Sequence, residues 1–509
     1  MPIRRGTLKE EEKGRKKIEL KVEIKDFGPI SDGEITLNPL TIFIGPNNSG
    51  KSYAAMLIHS VFESYTPTAL PRGMPYFTRR RLFTEHLDIQ AFLKEFPELK
   101  RQIDGLKGSE ELEISKQVVE KITNKIFEEI YEKRLSDEII RSYACPLNEL
   151  IKIGKGSFEL KINVNSYGIR LAYQKDKLKI KEYPQLDIKI KVKAIESRRH
   201  PTISRKERKN EIFIELGGWE EREERSFIYL YFRLMDIILE ALVYRIFENV
   251  AIPCYYLPAA RSGILQGHKA LAASIVKKAP YVGIERLEIP KFSGVVSDFI
   301  SSVITLPEER GPFYQLAQSF EKELIKGEIV VRTLDEYLYP EIKYSFQKTE
   351  IPLHRASSTV SELAPLFLYL KYIIEPGCIL IIEEPEAHLH PENQRILAKF
   401  LVKLIRKGVN VVITTHSEYL LEQLSSFILL SKIDEKTRVE RYKYSEEDFL
   451  KPDEIAAYVF DYDEKNGGYK INEVEITEED GISDEAFLKI HEALYEEKLK
   501  LQRDLDAGR

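Results

Sequence analysis

Cysteine is scarce in this chain. Three cysteines occur among 509 residues, and Cys145, Cys254 and Cys378 stand far apart with no C-x-x-C spacing between them. An odd number of widely separated cysteines cannot form a fully paired disulfide framework. The composition therefore excludes a small disulfide-stabilised secreted scaffold. It favours a reducing compartment, and we expect a cytoplasmic protein.

Long uncharged hydrophobic runs are also missing. The best candidate for a membrane span, residues 227–250, carries five charged side chains. At about 100° per residue, these charges occupy about half of the circumference of a helix. The N-terminus is charged where a secretory leader needs an apolar stretch. We therefore expect an amphipathic core helix over 227–250, with no leader and no membrane segment.

A large excess of charge of either sign is absent. The 77 basic and 82 acidic residues leave a net charge of −5, which does not indicate a nucleic-acid-binding protein as a whole. Basic residues do cluster locally, in residues 1–17, 79–81 and 198–209. Such runs are usually solvated loops, and contact with phosphate backbones is the alternative interpretation.

The segment from Gly45 to Ser52, GPNNSGKS, is the most informative in the chain because it fits the pattern G-x-x-x-x-G-K-[ST]. It follows an apolar run, 40–44, that predicts a buried strand, and it precedes a helix-like segment, 53–65. Backbone N–H groups of such a loop and the positive end of the next helix bind phosphate. A chance match in a Gly/Asn-rich turn is the alternative. The residues expected to bind ATP here are Gly45, Asn47, Asn48, Ser49, Gly50, Lys51 and Ser52.

Two of these residues have more specific expected roles. The Lys51 side chain is expected to reach the β- and γ-phosphates, and the Ser52 hydroxyl is expected to bind Mg²⁺. A second apolar strand, 378–382, leads directly into Glu383 and Glu384. This order places both carboxylates at the carboxyl end of a strand, where open α/β sheets bind ligands.

ATP hydrolysis needs one carboxylate near Mg²⁺ and another that orients or deprotonates the attacking water. We assign Glu383 to the metal and Glu384 to the water; a solvated acidic turn is the alternative. A third apolar strand, 409–414, ends just before His416. A histidine there can hydrogen-bond the γ-phosphate or the water. The expected catalytic residues are therefore Glu384, His416 and Lys51.

The order of elements predicts an α/β fold. Strands alternate with helices after residue 251, which indicates a mostly parallel sheet, and a period-two strand over 18–25 indicates a small β-layer before the phosphate loop. The intervening segment is first helix-like and then strand-like, as an inserted α+β lobe would be. The predicted plan is an arm (1–17), an ATPase core in two parts (18–65 and 251–430), the inserted lobe (66–250) and a C-terminal extension (431–509).

Three motifs in this order resemble those of the ABC-type ATPase heads of the RecF/SMC/OLD group. They are Gly45 to Ser52, Glu383 to Pro391 (EEPEAHLHP) and Thr414 to Ser417 (TTHS), and the resemblance covers residues 18–65 and about 251–425. The E-P-E-x-H-L-H-P form is similar to the AAA-type ATPases of OLD-like proteins and their relatives in defence and repair. The resemblance implies a P-loop NTPase fold with an ABC-ATPase-like head, ATP and Mg²⁺ as cofactors, and a homodimer that encloses ATP.

The resemblance also implies roles for residues outside the three motifs. The segment 356–363 stands where the family has its L-S-G-G-Q signature, so Ser357 is implied to contact the γ-phosphate bound by a second subunit. Arg261 resembles a recurring arginine near the nucleotide or at the Q-loop position, with a surface arginine as the alternative. His388 and His390 fall in the D-loop region. They also suit zinc by type, but no third and fourth ligand has a suitable spacing.

Two departures from the family pattern imply slow hydrolysis. Thr359 stands where the signature usually has glycine, which could hinder close approach of that backbone to phosphate, and Glu383 stands where most such heads have aspartate. OLD nucleases continue into a Toprim domain, but the acids that follow His416 lack its pattern. We therefore expect no intrinsic nuclease activity.

The sequence thus predicts a Mg²⁺-dependent ATPase that dimerises on ATP and acts as a conformational switch. The first hypothesis places it in DNA repair or anti-phage defence, with DNA and a separate nuclease or toxin subunit as partners. The alternative is a nucleotide-dependent protein-interaction module that does not bind DNA. A transporter ATPase subunit is a third hypothesis, which the long insertion and the E-P-E-x-H-L-H-P form disfavour.

Overall fold

The computed structural model of the chain describes residues 18, 20–65, 97–104, 111–164, 167–195, 202–208, 211–217, 224–247, 252–267, 291–334, 337–483 and 495–503. The predicted N-terminal arm and the basic run 79–81 lie outside these residues.

The described residues include twenty strands. In chain order they are β1 (Leu20–Phe27), β2 (Ile30–Thr36), β3 (Leu40–Ile44), β4 (Glu111–Glu113), β5 (Glu159–Val164), β6 (Tyr167–Gln174), β7 (Lys177–Glu182), β8 (Lys189–Ile195), β9 (Thr202–Arg208), β10 (Glu211–Gly217), β11 (Cys254–Leu257), β12 (Glu328–Leu334), β13 (Tyr337–Phe346), β14 (Thr349–Pro352), β15 (Ile379–Glu383), β16 (Asn410–Thr415), β17 (Ile455–Asp463), β18 (Gly468–Glu473), β19 (Ile476–Thr477) and β20 (Gly481–Ile482).

Helices connect and cover these strands. The labelled helices are α1 (Lys51–Tyr65), α2 (Pro97–Asp104), α3 (Lys116–Phe127), α4 (Leu135–Tyr143), α5 (Glu224–Phe247), α6 (Gly294–Ile304), α7 (Tyr314–Leu324), α8 (Ser358–Tyr372), α9 (Pro391–Arg406), α10 (Glu418–Leu429) and α11 (Glu435–Glu440). A π-helical segment, Glu128–Arg134, links α3 to α4. Further helical stretches cover residues 261–267 and 495–503. The amphipathic helix expected over 227–250 corresponds to α5.

One eleven-stranded sheet organises the molecule, in the order β11-β15-β16-β3-β17-β18-β2-β1-β5-β6-β7. From β11 to β17, all neighbouring strands are parallel. Beyond β17, neighbours are antiparallel except for the parallel pair β18 and β2. The predicted α/β fold with a mixed sheet is confirmed.

The parallel half is buried on both faces. Every residue of β3, β15 and β16 is buried. Alternate side chains enter two different cores, so that Ile381 packs into one core with α1 and Ile382 packs into the other with α8, α9 and α10. Such two-sided burial explains why these strands are almost continuously apolar in sequence.

The other strands form smaller sheets. β4, β8, β10 and β9 make a four-stranded sheet, β12 to β14 make a three-stranded sheet, and β19 pairs with β20. Among the described residues, no helix is both long and apolar enough to span a bilayer.

The central sheet extends across the predicted domain boundaries. β5 to β7 come from the segment predicted as an inserted lobe, and β17 and β18 come from the predicted C-terminal extension. β17 lies between β3 and β18, in the middle of the sheet, because its first four residues are buried and apolar enough to pair with β3. The domain plan remains a prediction, but its boundaries do not divide this sheet.

Candidate active site

The phosphate loop leaves β3 at the carboxyl edge of the parallel half-sheet. Gly45 has a φ of +145°, and a Cβ there would lie 2.9 Å from the carbonyl oxygen of Phe460. Gly50 has a φ of +102°, and its Cβ would lie 2.9 Å from a side-chain carbon of Ile30. Only glycine fits both the backbone conformation and the space at these positions. The glycines of the motif are thus explained by packing as well as by phosphate binding.

The remaining loop residues fall into two environments. Asn47, Asn48 and Ser52 are exposed, and Asn48 adopts a left-handed conformation with a φ of +62°. Ser49 is buried, and its hydroxyl has no hydrogen-bond partner among the described residues.

Lys51 is the first residue of α1 and is only 5% exposed. Its ammonium donates to the carbonyl oxygens of Gly45, at 2.9 Å, and Pro46, at 2.7 Å. Burial lowers the pKa of Lys51 to about 8, and the carboxylates of nearby acidic residues oppose this shift. The acids are Glu384, Glu386 and Glu383. A buried lysine with compensating acids nearby is suited to bind an anionic ligand.

The acid pair stands at the end of β15, as predicted. Glu383 is buried; one of its carboxylate oxygens accepts from the backbone N–H of Ala259 at 3.0 Å. The same carboxylate interacts with the buried Tyr256 hydroxyl, whose pKa is raised by burial and by this neighbouring acid. Glu384 turns the chain out of the sheet with a φ of +42°, and its N–H donates to the carbonyl oxygen of Thr414 at 3.0 Å. A left-handed non-glycine residue costs about 1–2 kcal/mol, and such strain is concentrated at functional sites.

His416 follows β16 on the same edge. Its Nε2 lies 3.7 Å from Oε1 of Glu384, and the side chain is 34% exposed. Burial and the neighbouring Lys51 ammonium lower the pKa of His416. The imidazole is therefore neutral at neutral pH and can accept or donate one proton. The structure thus brings His416, Glu384 and Lys51 together at adjacent strand ends.

Glu384 and His416 face a cleft of about 450 Å³. Its other lining residues are Glu386, Ala387, Gln394, Ser417, Glu418 and Tyr419. Sequence reasoning did not select Glu386, although it stands in the same E-P-E motif as the acid pair. Its burial and its contact with the end of β16 become apparent only in the fold.

Arg261 is an internal cross-link of the site. It is 1% exposed, so the alternative of a surface arginine is wrong. Its guanidinium donates to the carbonyl oxygens of Glu383, at 2.7 Å, Glu362, at 3.0 Å, and Glu384, at 3.3 Å, and its Nε lies 3.3 Å from the Glu362 carboxylate. These bonds join the acid pair to helix α8. Contact between Arg261 and the nucleotide remains a prediction.

The signature-like segment forms the N-terminus of α8. Ser357 is the exposed N-cap residue, and its hydroxyl oxygen accepts from the Val360 N–H at 3.4 Å. The Thr359 hydroxyl donates to the carbonyl oxygen of His388 at 3.0 Å, which links this segment to the D-loop region. The positive end of a fifteen-residue helix suits contact with an anion. The role of Ser357 in a second subunit remains a prediction.

The residues present fit a magnesium ion better than a zinc ion. His390 caps α9, where its Nδ1 accepts from the Glu392 N–H at 3.3 Å. Among the described residues, no cluster of three or more His, Cys, Asp or Glu side chains could hold a metal. Mg²⁺ needs few protein ligands because phosphates and water supply the rest. Ser52, which is exposed, and the buried carboxylate of Glu383 are oxygen donors of the type that Mg²⁺ prefers.

The fold and this edge of the sheet define a phosphate-loop nucleotide-binding protein. A model of the AAA ATPase domain family matches residues 17–216 and 286–421, which is more than half of the chain. The chain therefore belongs to the AAA ATPase domain family. No curated protein matches the chain at a significant level.

Solved structures of SMC head domains are similar to the chain at low sequence identity. An SMC head bound to the C-terminal winged-helix domain of ScpA is 12% identical, with a TM-score of 0.39, over 91% of this chain and 99% of that one. The head from Pyrococcus furiosus, bound to the C-terminal domain of ScpA, is 11% identical, with a TM-score of 0.38, over 94% and 99%. The head from Thermotoga maritima is 12% identical, with a TM-score of 0.30, over 90% and 100%.

Proposed function

We propose that the chain hydrolyses ATP. The observation that carries this proposal is the convergence of Lys51, Glu384 and His416 at one edge of the sheet, with His416 3.7 Å from Glu384. A phosphate loop alone supports binding. A carboxylate and a neutral imidazole beside it supply the groups that phosphoryl transfer to water requires.

Each of these residues has its own role in the proposed reaction. The Lys51 ammonium exchanges its bonds with the loop carbonyls for bonds with the β- and γ-phosphates. Glu384 accepts a proton from the attacking water while the oxygen of that water bonds to the γ-phosphorus. The bond between the γ-phosphorus and the β,γ-bridging oxygen breaks, which gives ADP and phosphate. His416 hydrogen-bonds the γ-phosphate or the water. Ser52 and Glu383 would hold Mg²⁺, which when bound neutralises charge on the phosphates.

The active form proposed here is a dimer that encloses ATP. Ser357 is exposed at the N-terminus of α8, where it is accessible to the γ-phosphate held by a second subunit. Binding of that phosphate by both subunits would close the dimer, and hydrolysis would open it, which constitutes a conformational switch.

The mass of the Glu384→Gln variant in solution tests this dimer. With Mg²⁺ and ATP, light scattering should show a doubling of the mass, and with ADP the variant should stay monomeric. Lys51→Ala should remain monomeric with either nucleotide. A variant that binds ATP and still remains monomeric would contradict the dimer.

We further propose that the switch acts on DNA, in repair or anti-phage defence, together with a separate nuclease or toxin subunit. The OLD-like form of the EEPEAHLHP segment supports this assignment. Local basic runs support it too, although residues 1–17, 79–81, 198–201 and 209 lie outside the described part of the chain.

One observation favours the alternative, a protein-interaction module that does not bind DNA. Basic side chains on the four-stranded sheet are paired with acids of neighbouring strands. The Lys191 ammonium lies 3.5 Å from a carboxylate oxygen of Glu211, and the Lys206 ammonium lies 3.3 Å from one of Glu215. Such pairing reduces the positive potential available to a phosphate backbone.

ATP turnover with and without double-stranded DNA, at two salt concentrations, separates these hypotheses. Stimulation by DNA that weakens at higher salt supports the DNA-linked switch. Turnover that is indifferent to DNA favours the protein-interaction module. Absence of turnover in every condition would contradict the ATPase proposal itself.

A further inference from the structure

Glu386 is a third acidic residue of the site, placed two residues after Glu384 in the loop between β15 and α9. It is 8% exposed and lines the same cleft as Glu384 and His416. A carboxylate this deeply buried is retained only with compensating contacts or a function.

One oxygen of Glu386 holds the end of β16. Its Oε1 accepts from the Thr415 hydroxyl at 2.5 Å and from the backbone N–H of His416 at 2.9 Å. The Thr415 hydroxyl oxygen in turn accepts from the N–H of Ser417 at 3.0 Å. Hydrogen bonds to a charged acceptor are roughly twice as strong as neutral ones. Glu386 therefore fixes the backbone on both sides of the histidine.

The second oxygen of Glu386 is not explained by the fold. Oε2 is shielded from solvent and has no hydrogen-bond partner among the described residues. Burial raises the pKa of Glu386, in opposition to the bonds from Thr415 and His416. A buried polar atom without a partner destabilises the fold. Glu386 is therefore buried at a cost to stability, and what it contributes to the site is its pair of bonds to Thr415 and His416.

The alignment of the His416 imidazole with Glu384 depends on where Glu386 holds the His416 backbone. Its Nε2 lies 3.7 Å from Oε1 of Glu384, slightly beyond hydrogen-bonding distance. A shift of the His416 backbone by a fraction of an ångström decides whether the imidazole can act with Glu384. Misplacement by about 1 Å can reduce a catalytic rate about 100-fold.

We propose that Glu386 is a positioning residue for ATP hydrolysis, which holds the backbone N–H of His416 so that the imidazole stays aligned with Glu384. This inference rests on the proposed ATPase function. It assigns Glu386 no contact with the nucleotide and no proton transfer.

The test measures kcat and the Kd for ATP in Glu386→Ala and Glu386→Gln, each in the native background and in a His416→Ala background. Glu386→Ala should lower kcat about 10- to 100-fold while the Kd changes less than about two-fold. Glu386→Gln keeps an acceptor oxygen and should retain most of the turnover. Because Glu386 acts through His416, Glu386→Ala should cause no further loss when His416 is already alanine.

Glu422→Ala, which removes an exposed acid from the adjacent helix α10, is the matched control and should leave kcat unchanged. If Glu386→Ala lowered kcat by the same factor in both backgrounds and also lowered the melting temperature, a structural role would replace the proposed one. Native kcat in Glu386→Ala would overturn it as well. Absence of turnover in the native protein would overturn the ATPase proposal together with this one, so the two failures are distinguishable.

Discussion

The two halves of the central sheet differ in how their charged side chains are placed relative to solvent. In the parallel half, Lys51, Arg261 and Glu386 are withdrawn from water and held by carbonyls, amides and hydroxyls. In the antiparallel half, charges pair on solvated faces, as in Lys161 with Glu23 and the Arg170–Glu182 pair. Burying a charge destabilises the fold unless the charge is paired or hydrogen-bonded. The parallel half therefore carries this cost at the positions where the proposed reaction requires fixed charges.

Strand direction explains the difference. Parallel strands bring all of their carboxyl ends to one edge, which gathers the residues that follow β3, β11, β15 and β16. Antiparallel neighbours alternate their ends between two edges, so groups that follow consecutive strands are kept apart. Four predictions contrast the two halves, each with a counterpart where the chain offers one.

The first expected effect is loss of ATP binding in Lys51→Ala, without which no turnover is possible. Removal of the buried ammonium should weaken ATP binding at least about 100-fold, because bonds between a charged donor and phosphate are the strongest of the site. Lys161→Ala, in the antiparallel half, should leave the affinity unchanged. Titration with a fluorescent ATP analogue measures both. If Lys51→Ala and Lys161→Ala bound ATP with equal affinity, the proposed contrast between the two halves in nucleotide binding would be contradicted.

Glu384→Gln should reduce turnover about 10²- to 10⁴-fold while ATP still binds, because the amide cannot accept a proton from water. Glu182→Gln, on the exposed β7, should turn over ATP at the native rate. Phosphate release and nucleotide binding are measured in parallel. Full turnover by Glu384→Gln would assign the water to another group.

Arg261→Met should lower the free energy of unfolding by about 3–5 kcal/mol, because the carboxylate of Glu362 and several carbonyls would stay buried without their donor. Arg170→Met removes an exposed ion pair and should cost less than about 1 kcal/mol. Denaturant unfolding of the two variants compares them. A loss as small for Arg261 as for Arg170 would show that the buried cross-link does not stabilise the fold.

The smallest expected effect concerns pH. Burial lowers the pKa of Lys51 to about 8 in the absence of ligand. Bound phosphate favours the charged form, so ATP affinity should be constant below that pH and fall progressively as pH rises above it. Nucleotide titrations on either side of this pH check the sign. Affinity that increases with pH would contradict the role of the ammonium.

The site was largely predictable from the sequence because its parts are short, contiguous motifs after apolar strands. Glu384 and His416 directly follow apolar strands, and Lys51 ends the loop that follows another. The carboxyl ends of parallel strands meet at one edge of the sheet. The position of β17 was not predictable, since it pairs with β3 more than four hundred residues earlier in the chain. The hydrogen bond from Thr415 to Glu386 also depends on which strands become neighbours.

Arg261 shows the limit of a local pattern. The sequence placed it after a strand but left open whether it is exposed or near the nucleotide. Its burial follows from contacts with Glu362 and the acid pair, which are more than a hundred residues away in sequence. Register and helix packing decide such contacts, and neither is encoded within a short window.

The central claim is that two copies of the chain share each ATP site. It is tested most directly by mixing Lys51→Ala with Ser357→Glu, each of which should be inactive alone, and measuring ATP turnover. A mixed dimer would contain one intact site, with Lys51 from one subunit and Ser357 from the other. The account predicts that the mixture regains turnover that neither variant shows alone, because each mixed dimer carries one intact site of two. A mixture that stays inactive although both variants fold, or a fully active Ser357→Glu variant, would contradict it.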